Sequence, residues 1–220
     1  MTGRLIAIGD IHGCRAALGA IWEAIAPTGE DTIVTLGDYV DRGPDSKGVI
    51  DDLIGYSKQC KLVAIQGNHE EMMLNVLREK LPPHRWLQFG GVDTLDSYGF
   101  IGDLKVIPES HHEFFKSMVN YYETDQHIFV HANYDPALPL DKQGIFHLRW
   151  LKLTESTPGP HISGKRAIVG HTHDRGGQIF DVGHLICIDT FCYGGGWLTA
   201  LDVNSGKIWQ ANQQGKLRPS

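Results

Sequence analysis

Five short polar segments follow apolar runs and carry residue types that hold divalent cations. They are Gly9-Asp10-Ile11-His12-Gly13, Gly37-Asp38, Gly67-Asn68-His69-Glu70, His131 in His-Ala-Asn, and Gly170-His171-Thr172-His173. A single Asp or His after a strand is ordinarily a helix cap or a hydrogen-bonded loop residue. Five such segments converging on one sheet edge supply Asp, His and Asn in the numbers a binuclear site needs. Two divalent ions ~3.5–4 Å apart hold the attacking and leaving oxygens of an in-line displacement at phosphorus. Keeping two cations that close requires a bridging carboxylate. A mixed set of imidazole, carboxylate and amide oxygen suits Mn, Fe or Zn better than an all-oxygen Mg site. The glycines beside these residues permit tight turns and leave room near the ions.

Such convergence needs strands that end together. Leu5–Ile8, Thr32–Leu36 and Lys61–Ile65 are short apolar or β-branched runs, each entering one of the polar segments. Helical spacing follows each of them. Ala17, Leu18, Ile21, Trp22 and Ile25 share one face, a second helix is expected over 46–57, and a third runs to about Lys80. Three strand-loop-helix units in succession indicate a mostly parallel, helix-covered sheet, whose ligands bind outside the carboxyl ends of the strands. Residues 81–112 and 134–165 show little periodicity, although His127–Val130 reads as a strand leading into His131. The tail returns to strands at 167–169, 178–182, 184–189, 197–203 and 207–210, with short connections that suggest antiparallel hairpins. No repeat or linker divides the chain, so one domain over 1–220 is expected.

Composition narrows the classes. The chain has 220 residues, 41% hydrophobic and 21% charged, as in ordinary globular proteins. Its 26 glycines stand well above the usual ~7%. A net charge of −6 gives no global reason to bind nucleic acid, which needs a basic face. No stretch approaches the ~20 apolar residues that span a bilayer, and the apolar start is too short for a signal peptide. The four cysteines form no CxxC pair and no dense framework, which points to a reduced, cytoplasmic protein.

The segments GDIHG, GDYVDRG, GNHE, His131 in HAN and His171 in GHTH occur in an order that resembles the phosphoprotein phosphatase branch of the calcineurin-like metallophosphoesterases. The similarity is strongest to bacterial and bacteriophage-type Ser/Thr protein phosphatases. It implies an α/β fold in which two β-sheets form a sandwich flanked by helices. It also implies two divalent ions, Mn²⁺ first and Fe or Zn as alternatives. By this resemblance Asp10 and His12 bind the first ion, Asp38 bridges, and Asn68, His131 and His171 bind the second. Arg42 and Asn68 hold the substrate phosphate, and His69, oriented by Asp41, protonates the leaving group. A guanidinium fork matches two phosphoryl oxygens, and an imidazole near neutrality is a competent acid.

Three departures from the family pattern matter. Arg149 precedes Trp150 in HLRW, so the second phosphate-binding Arg is out of its usual register. HAN replaces the commoner Gly-rich continuation after His131. His173 in GHTH has two family precedents, a ligand of the first ion or no ligand at all; it is expected within reach of the first ion. Glu70 either starts the following helix or acts in chemistry, and the aromatic residues Trp86, Phe89, Tyr98 and Phe100 are expected to pack. His84, His111, His112, His127, His147, His161 and His184 match no motif and are expected to be structural or solvated.

The leading expectation is a phosphatase acting on phosphomonoesters of proteins (Ser/Thr, with Tyr open), by direct attack of metal-activated water and without a phosphoenzyme. Hydrolysis of dinucleoside polyphosphates is the alternative, since small members of the family share these motifs. A phosphodiesterase is disfavoured by Arg42, which suits a terminal phosphate. A binding scaffold is disfavoured because every ligand is retained.

Overall fold

The computed structural model describes residues 3–219. Three parallel strands, β1 (Leu5–Ile8), β2 (Thr32–Thr35) and β3 (Lys61–Ala64), form the heart of the first sheet. Between and after them run α1 (Arg15–Ile25), α2 (Ser46–Tyr56) and α3 (Asn68–Leu77). The apolar spacing in α1 becomes one buried face of Ala17, Leu18, Ile21, Trp22 and Ile25. In α2 the Asp45 side chain caps the start by accepting from the Gly48 N–H at 2.8 Å.

The region without periodicity is largely helical. It holds α4 (His84–Trp86), α5 (Val92–Ser97) and α6 (Glu109–Ser117). A π-turn over Leu87–Gly91 joins α4 to α5, and Gly90 sits there at φ 106°, a conformation that favours glycine. This break interrupts the 3.6-residue pattern, so no continuous helix was visible in the sequence.

The second sheet contains β4 (Tyr121–Glu123), β5 (His127–Val130), β6 (Arg166–Val169), β7 (Phe180–Asp181) and β8 (Leu185–Cys187), in the order β4-β5-β6-β8-β7. A short helix, α7 (Ile145–Arg149), lies between β5 and β6. The expected strand over 184–189 is in fact two. After β8 the chain crosses at Ile188 and continues as β9 (Asp189–Thr190), which pairs with β10 (Trp197–Asp202) of the first sheet. With β11 (Ile208–Ala211), that sheet reads β11-β10-β1-β2-β3. The tail hairpins are antiparallel, as expected.

Strand alternation builds the sandwich. On β1, Ile6 and Ile8 pack with the helices, while Ala7 faces the second sheet. On β5, Phe129 enters the layer between the sheets with Val34, Leu36, Ile168 and Leu201. Its neighbours Ile128 and Val130 face Tyr134, Leu148 and Leu153 on the outside. Both faces of the central strands are covered, so their sequences are almost continuously apolar. Among the described residues no helix is long and apolar enough to cross a membrane.

Candidate active site

The carboxyl ends of β1, β2, β3, β5 and β6 meet at one edge of the sandwich. Asp38 lies at the centre. Its Oδ2 is 3.4 Å from His12 Nε2 and 3.9 Å from His69 Nε2, and its Oδ1 is 3.5 Å from His131 Nε2. Two groups of ligand atoms, each within 4.8 Å of one another, share this carboxylate: His12, Asp38 and His69, and Asp38, His131 and His171. Asn68 Oδ1 lies 3.0 Å from His131 Nε2, which adds an amide oxygen to the second group. Gly37, at φ 105°, makes the turn before Asp38; a Cβ there would stand 2.8 Å from the His131 ring.

Backbone carbonyls set the tautomers of the rings. His12 Nδ1 lies 2.9 Å from the Val40 carbonyl and His131 Nδ1 lies 2.8 Å from that of Leu36, so each donates through Nδ1 and turns the Nε2 lone pair toward Asp38. His171 is reversed. Its Nε2 donates to the Trp150 carbonyl at 3.1 Å, which frees Nδ1. Burial lowers the pKa of His12 and His131, and burial with neighbouring His131 lowers His171 to about 3. Neutral imidazole is the form that ligates.

Asp38 is held well below the carboxylate range: burial opposes ionisation, but the imidazoles of His131, His69 and His12 outweigh it. Asp10 is raised instead, by burial and by Asp189 and Asp38. Three carboxylates in one buried pocket, with neutral imidazoles aimed at the same space, are a donor set that divalent cations complete. The residues present fit two such ions.

Asp10 belongs to neither three-residue group. It accepts the His171 backbone N–H at 3.0 Å and faces Asp189. His173 joins neither group; its ring stacks on Phe191 at 4.5 Å and lines the cavity from the side. His69 Nδ1 is 2.7 Å from Asp41 Oδ2. Asp41 also accepts from Trp86 Nε1 at 3.0 Å and from Thr94 Oγ1 at 2.6 Å. The His69 pKa is raised: burial works against the charged ring, but Asp38 and the Asp41 hydrogen bond prevail.

A cavity of about 240 Å³ opens over these groups, lined by Asp38, Arg42, Asn68, His69, Lys152 and His171 among others. Arg149 does not line it. Its guanidinium is committed to Glu71 at 3.0 Å, Gln66 at 2.9 Å and Asn120, which draws the side chain into the protein behind Trp150. A larger apolar cavity of about 590 Å³, beside Leu81, Pro82 and Phe100, contains none of the candidate ligands and is not the site of chemistry.

Several contributions go beyond the sequence reading. Glu70 takes one of its two expected roles, closing the start of α3 by accepting from the Gly67 N–H at 3.0 Å. It also accepts from the backbone N–H groups of Asp38, Tyr39 and Val40, fixing the loop that carries the central carboxylate. Trp86, expected only to pack, has its polar edge on Asp41. Asp189, after the sheet crossing, stands beside Asp10. Among the unmatched histidines that are buried, His111 binds Tyr98 and Asp51, and His161 binds Ser163 and the Leu138 carbonyl.

The calcineurin-like phosphoesterase family model matches residues 3–175. The chain belongs to that family. It is 38% identical over 85 residues to serine/threonine-protein phosphatase 1 of Salmonella typhimurium, covering 38% of this chain and 37% of the relative. It is 28% identical over 105 residues to the symmetrical bis(5'-nucleosyl)-tetraphosphatase of Burkholderia pseudomallei, covering 48% of this chain and 32% of the relative. These matches thus span about a third of each curated relative. A solved structure described as a putative diadenosine tetraphosphatase aligns with a TM-score of 0.73 at 25% identity, over 96% of this chain and 94% of that one. The expected likeness to the phosphoprotein phosphatase branch of this family and the expected two-sheet fold both hold.

Proposed function

We propose that the protein is a phosphomonoesterase whose substrates are phosphorylated protein side chains, with one binuclear centre at Asp38. The observation that carries this reading is the placement of Arg42 and His69 on one small cavity around the shared carboxylate. A terminal phosphate entering there meets a guanidinium fork on one side and a carboxylate-oriented imidazole on the other. When bound, two divalent ions would supply Lewis acidity and an activated water. Asp38 would bridge, His12 and Asp10 would serve one ion, and Asn68, His131 and His171 the other, with Mn²⁺ the first candidate.

The chain's own groups divide the remaining work. Arg42 and Asn68 bind and orient the phosphoryl oxygens. His69 Nε2 holds the proton for the departing oxygen, and Asp41 fixes its tautomer through Nδ1. Tight burial of Asp41 by Trp86 and Thr94 keeps that pair away from solvent.

The whole-chain likeness to the putative diadenosine tetraphosphatase favours a second reading, hydrolysis of dinucleoside polyphosphates. After chelator stripping and Mn²⁺ addition, rates on phosphoserine, phosphothreonine and phosphotyrosine peptides and on diadenosine tetraphosphate separate the two. Faster turnover of the peptides supports the first reading. Efficient hydrolysis of diadenosine tetraphosphate alone replaces it with the second.

A further inference from the structure

The segment from β9 to β10 forms an aromatic wall beside the cavity, and neither the metal nor the proton chemistry accounts for it. β9 ends at Thr190, and Phe191 then adopts φ 64°, unusual for a bulky residue. The turn lays Phe191 against His173 and sets Tyr193 edge-on to Phe191 at 4.8 Å. Tyr193 also stands edge-on to His12 at 4.8 Å. Its hydroxyl oxygen accepts from Arg42 Nη1 at 2.7 Å, and its ring lies 4.6 Å from Arg42 Cζ. Among the described residues the Arg42 guanidinium has two hydrogen-bond partners, Tyr193 and His12, and both are served by Nη1. Nη2 and Nε are left for a ligand.

An arginine free to rotate loses mobility each time it captures an anion, which weakens binding. A guanidinium already held from behind avoids that loss and presents its fork in one orientation. The ring adds a cation–π contact, and the hydroxyl fixes the rotation of the guanidinium plane. Arg42 and Tyr193 are 151 residues apart, so this support depends on the sheet crossing at Ile188 that delivers the wall.

We propose that Tyr193 is the positioning residue for phosphate capture: it pre-orders Arg42, and the 191–196 turn thereby sets how tightly the cavity holds a phosphoryl group. The inference rests on Arg42 being the phosphate clamp. Tyr193→Phe keeps the ring and removes the hydroxyl; Tyr193→Leu removes both. In the Mn²⁺-loaded protein, Tyr193→Phe is expected to raise both KM and the inhibition constant of inorganic phosphate by roughly tenfold, about 1.4 kcal/mol. kcat should change less, Tyr193→Leu should exceed Tyr193→Phe, and metal content by elemental analysis should be unchanged. Because the effect passes through Arg42, Tyr193→Phe should add nothing in an Arg42→Ala background.

The outcomes separate the two claims. If Arg42→Ala leaves KM and phosphate inhibition unchanged, the clamp reading fails and this proposal falls with it. If Arg42→Ala weakens phosphate while Tyr193→Phe does not, or the two losses add, Arg42 remains the clamp and the role of Tyr193 is overturned. Metal loss in Tyr193→Phe also overturns it, since the aromatic wall would then be supporting His12 instead.

Discussion

Replacing Asp41 with Asn changes one oxygen for an amide nitrogen where the surroundings supply donors. The carboxylate accepts from His69 Nδ1 at 2.7 Å, from Trp86 Nε1 at 3.0 Å and from Thr94 Oγ1 at 2.6 Å, all buried. Asn can keep its oxygen toward Trp86 and Thr94 only by turning its NH₂ to His69. The ring must then accept at Nδ1, and the carboxylate that favoured its charged form is gone. A hydrogen bond to a charged group is worth ~1.5–3 kcal/mol. If that support is lost from the transition state, kcat falls by about 10- to 150-fold. The ceiling is the His69→Asn loss itself, expected at roughly 10²–10⁴.

The assay compares an alkyl phosphate with p-nitrophenyl phosphate at saturating Mn²⁺. A nitrophenolate barely needs a proton, so its rate should fall far less. Asp41 is not placed among the ligands, so metal content should hold, and Asp41→Asn/His69→Asn should be no slower than His69→Asn. Equal losses on both substrates, or additive losses in the double variant, refute the view that Asp41 acts through a leaving-group acid.

Asp38→Asn removes the shared charge from both candidate groups, so elemental analysis should show both ions depleted and turnover should collapse; full metal content with normal rates removes Asp38 from the bridge. Arg149→Ala breaks a largely buried pair with Glu71 and should cost about 3 kcal/mol in urea unfolding. It should raise KM less than Arg42→Ala does, and the opposite ranking would return Arg149 to the phosphate. Asp31 is held below its usual pKa by the Arg4 hydrogen bond, helped by the Thr28 N–H and opposed by burial. A depressed folded pKa stabilises fully above the unfolded value of ~3.9 and is lost as pH falls through the folded one. Asp31→Asn should therefore cost about 2 kcal/mol near neutrality, a value reduced because Arg4 is partly exposed. The gap between native and variant should narrow in acid; a gap that widens has the wrong sign.

The ligand candidates were legible because each lies within four residues of the end of a strand. Ile8 precedes Asp10, Val130 precedes His131, and Val169 precedes His171 by one intervening glycine. A strand that stops at a polar Gly-containing turn is a local signal, and five of them imply convergence. What supports those residues is non-local. Trp86 and Thr94 reach the same Asp41 from opposite sides of the break at Gly90, which periodicity does not reveal. Asp189 reaches Asp10 only because one apolar run crosses between sheets at Ile188, which periodicity reads as a single strand. Arg149 shows the converse: its sequence neighbour Trp150 suggested a phosphate ligand, but Glu71, Gln66 and Asn120 are stronger company than solvent at the cavity edge. Residue type located the chemistry, whereas orientation depended on contacts many tens of residues away.

Backbone strain shows where that non-local support is spent. Eight non-glycine residues among those described have positive φ; Asp38, Arg42 and His171 line the cavity, and His12, Asp41 and Phe191 contact residues that do. Such conformations cost ~1–3 kcal/mol each and persist only where surroundings over-determine them. The loops do this reciprocally: the Asp38 carbonyl accepts from the N–H groups of Ile11 at 3.0 Å and His12 at 2.8 Å, while Glu70 takes those of Asp38, Tyr39 and Val40. The strand ends therefore brace one another before any ligand arrives, as preorganised electrostatics requires. It follows that the choice of substitution matters. Asn tolerates the left-handed region and preserves the loop, so Asp38→Asn and Asp41→Asn report on charge. A β-branched residue at either position would be excluded by the backbone first, and its lost activity would say nothing about chemistry.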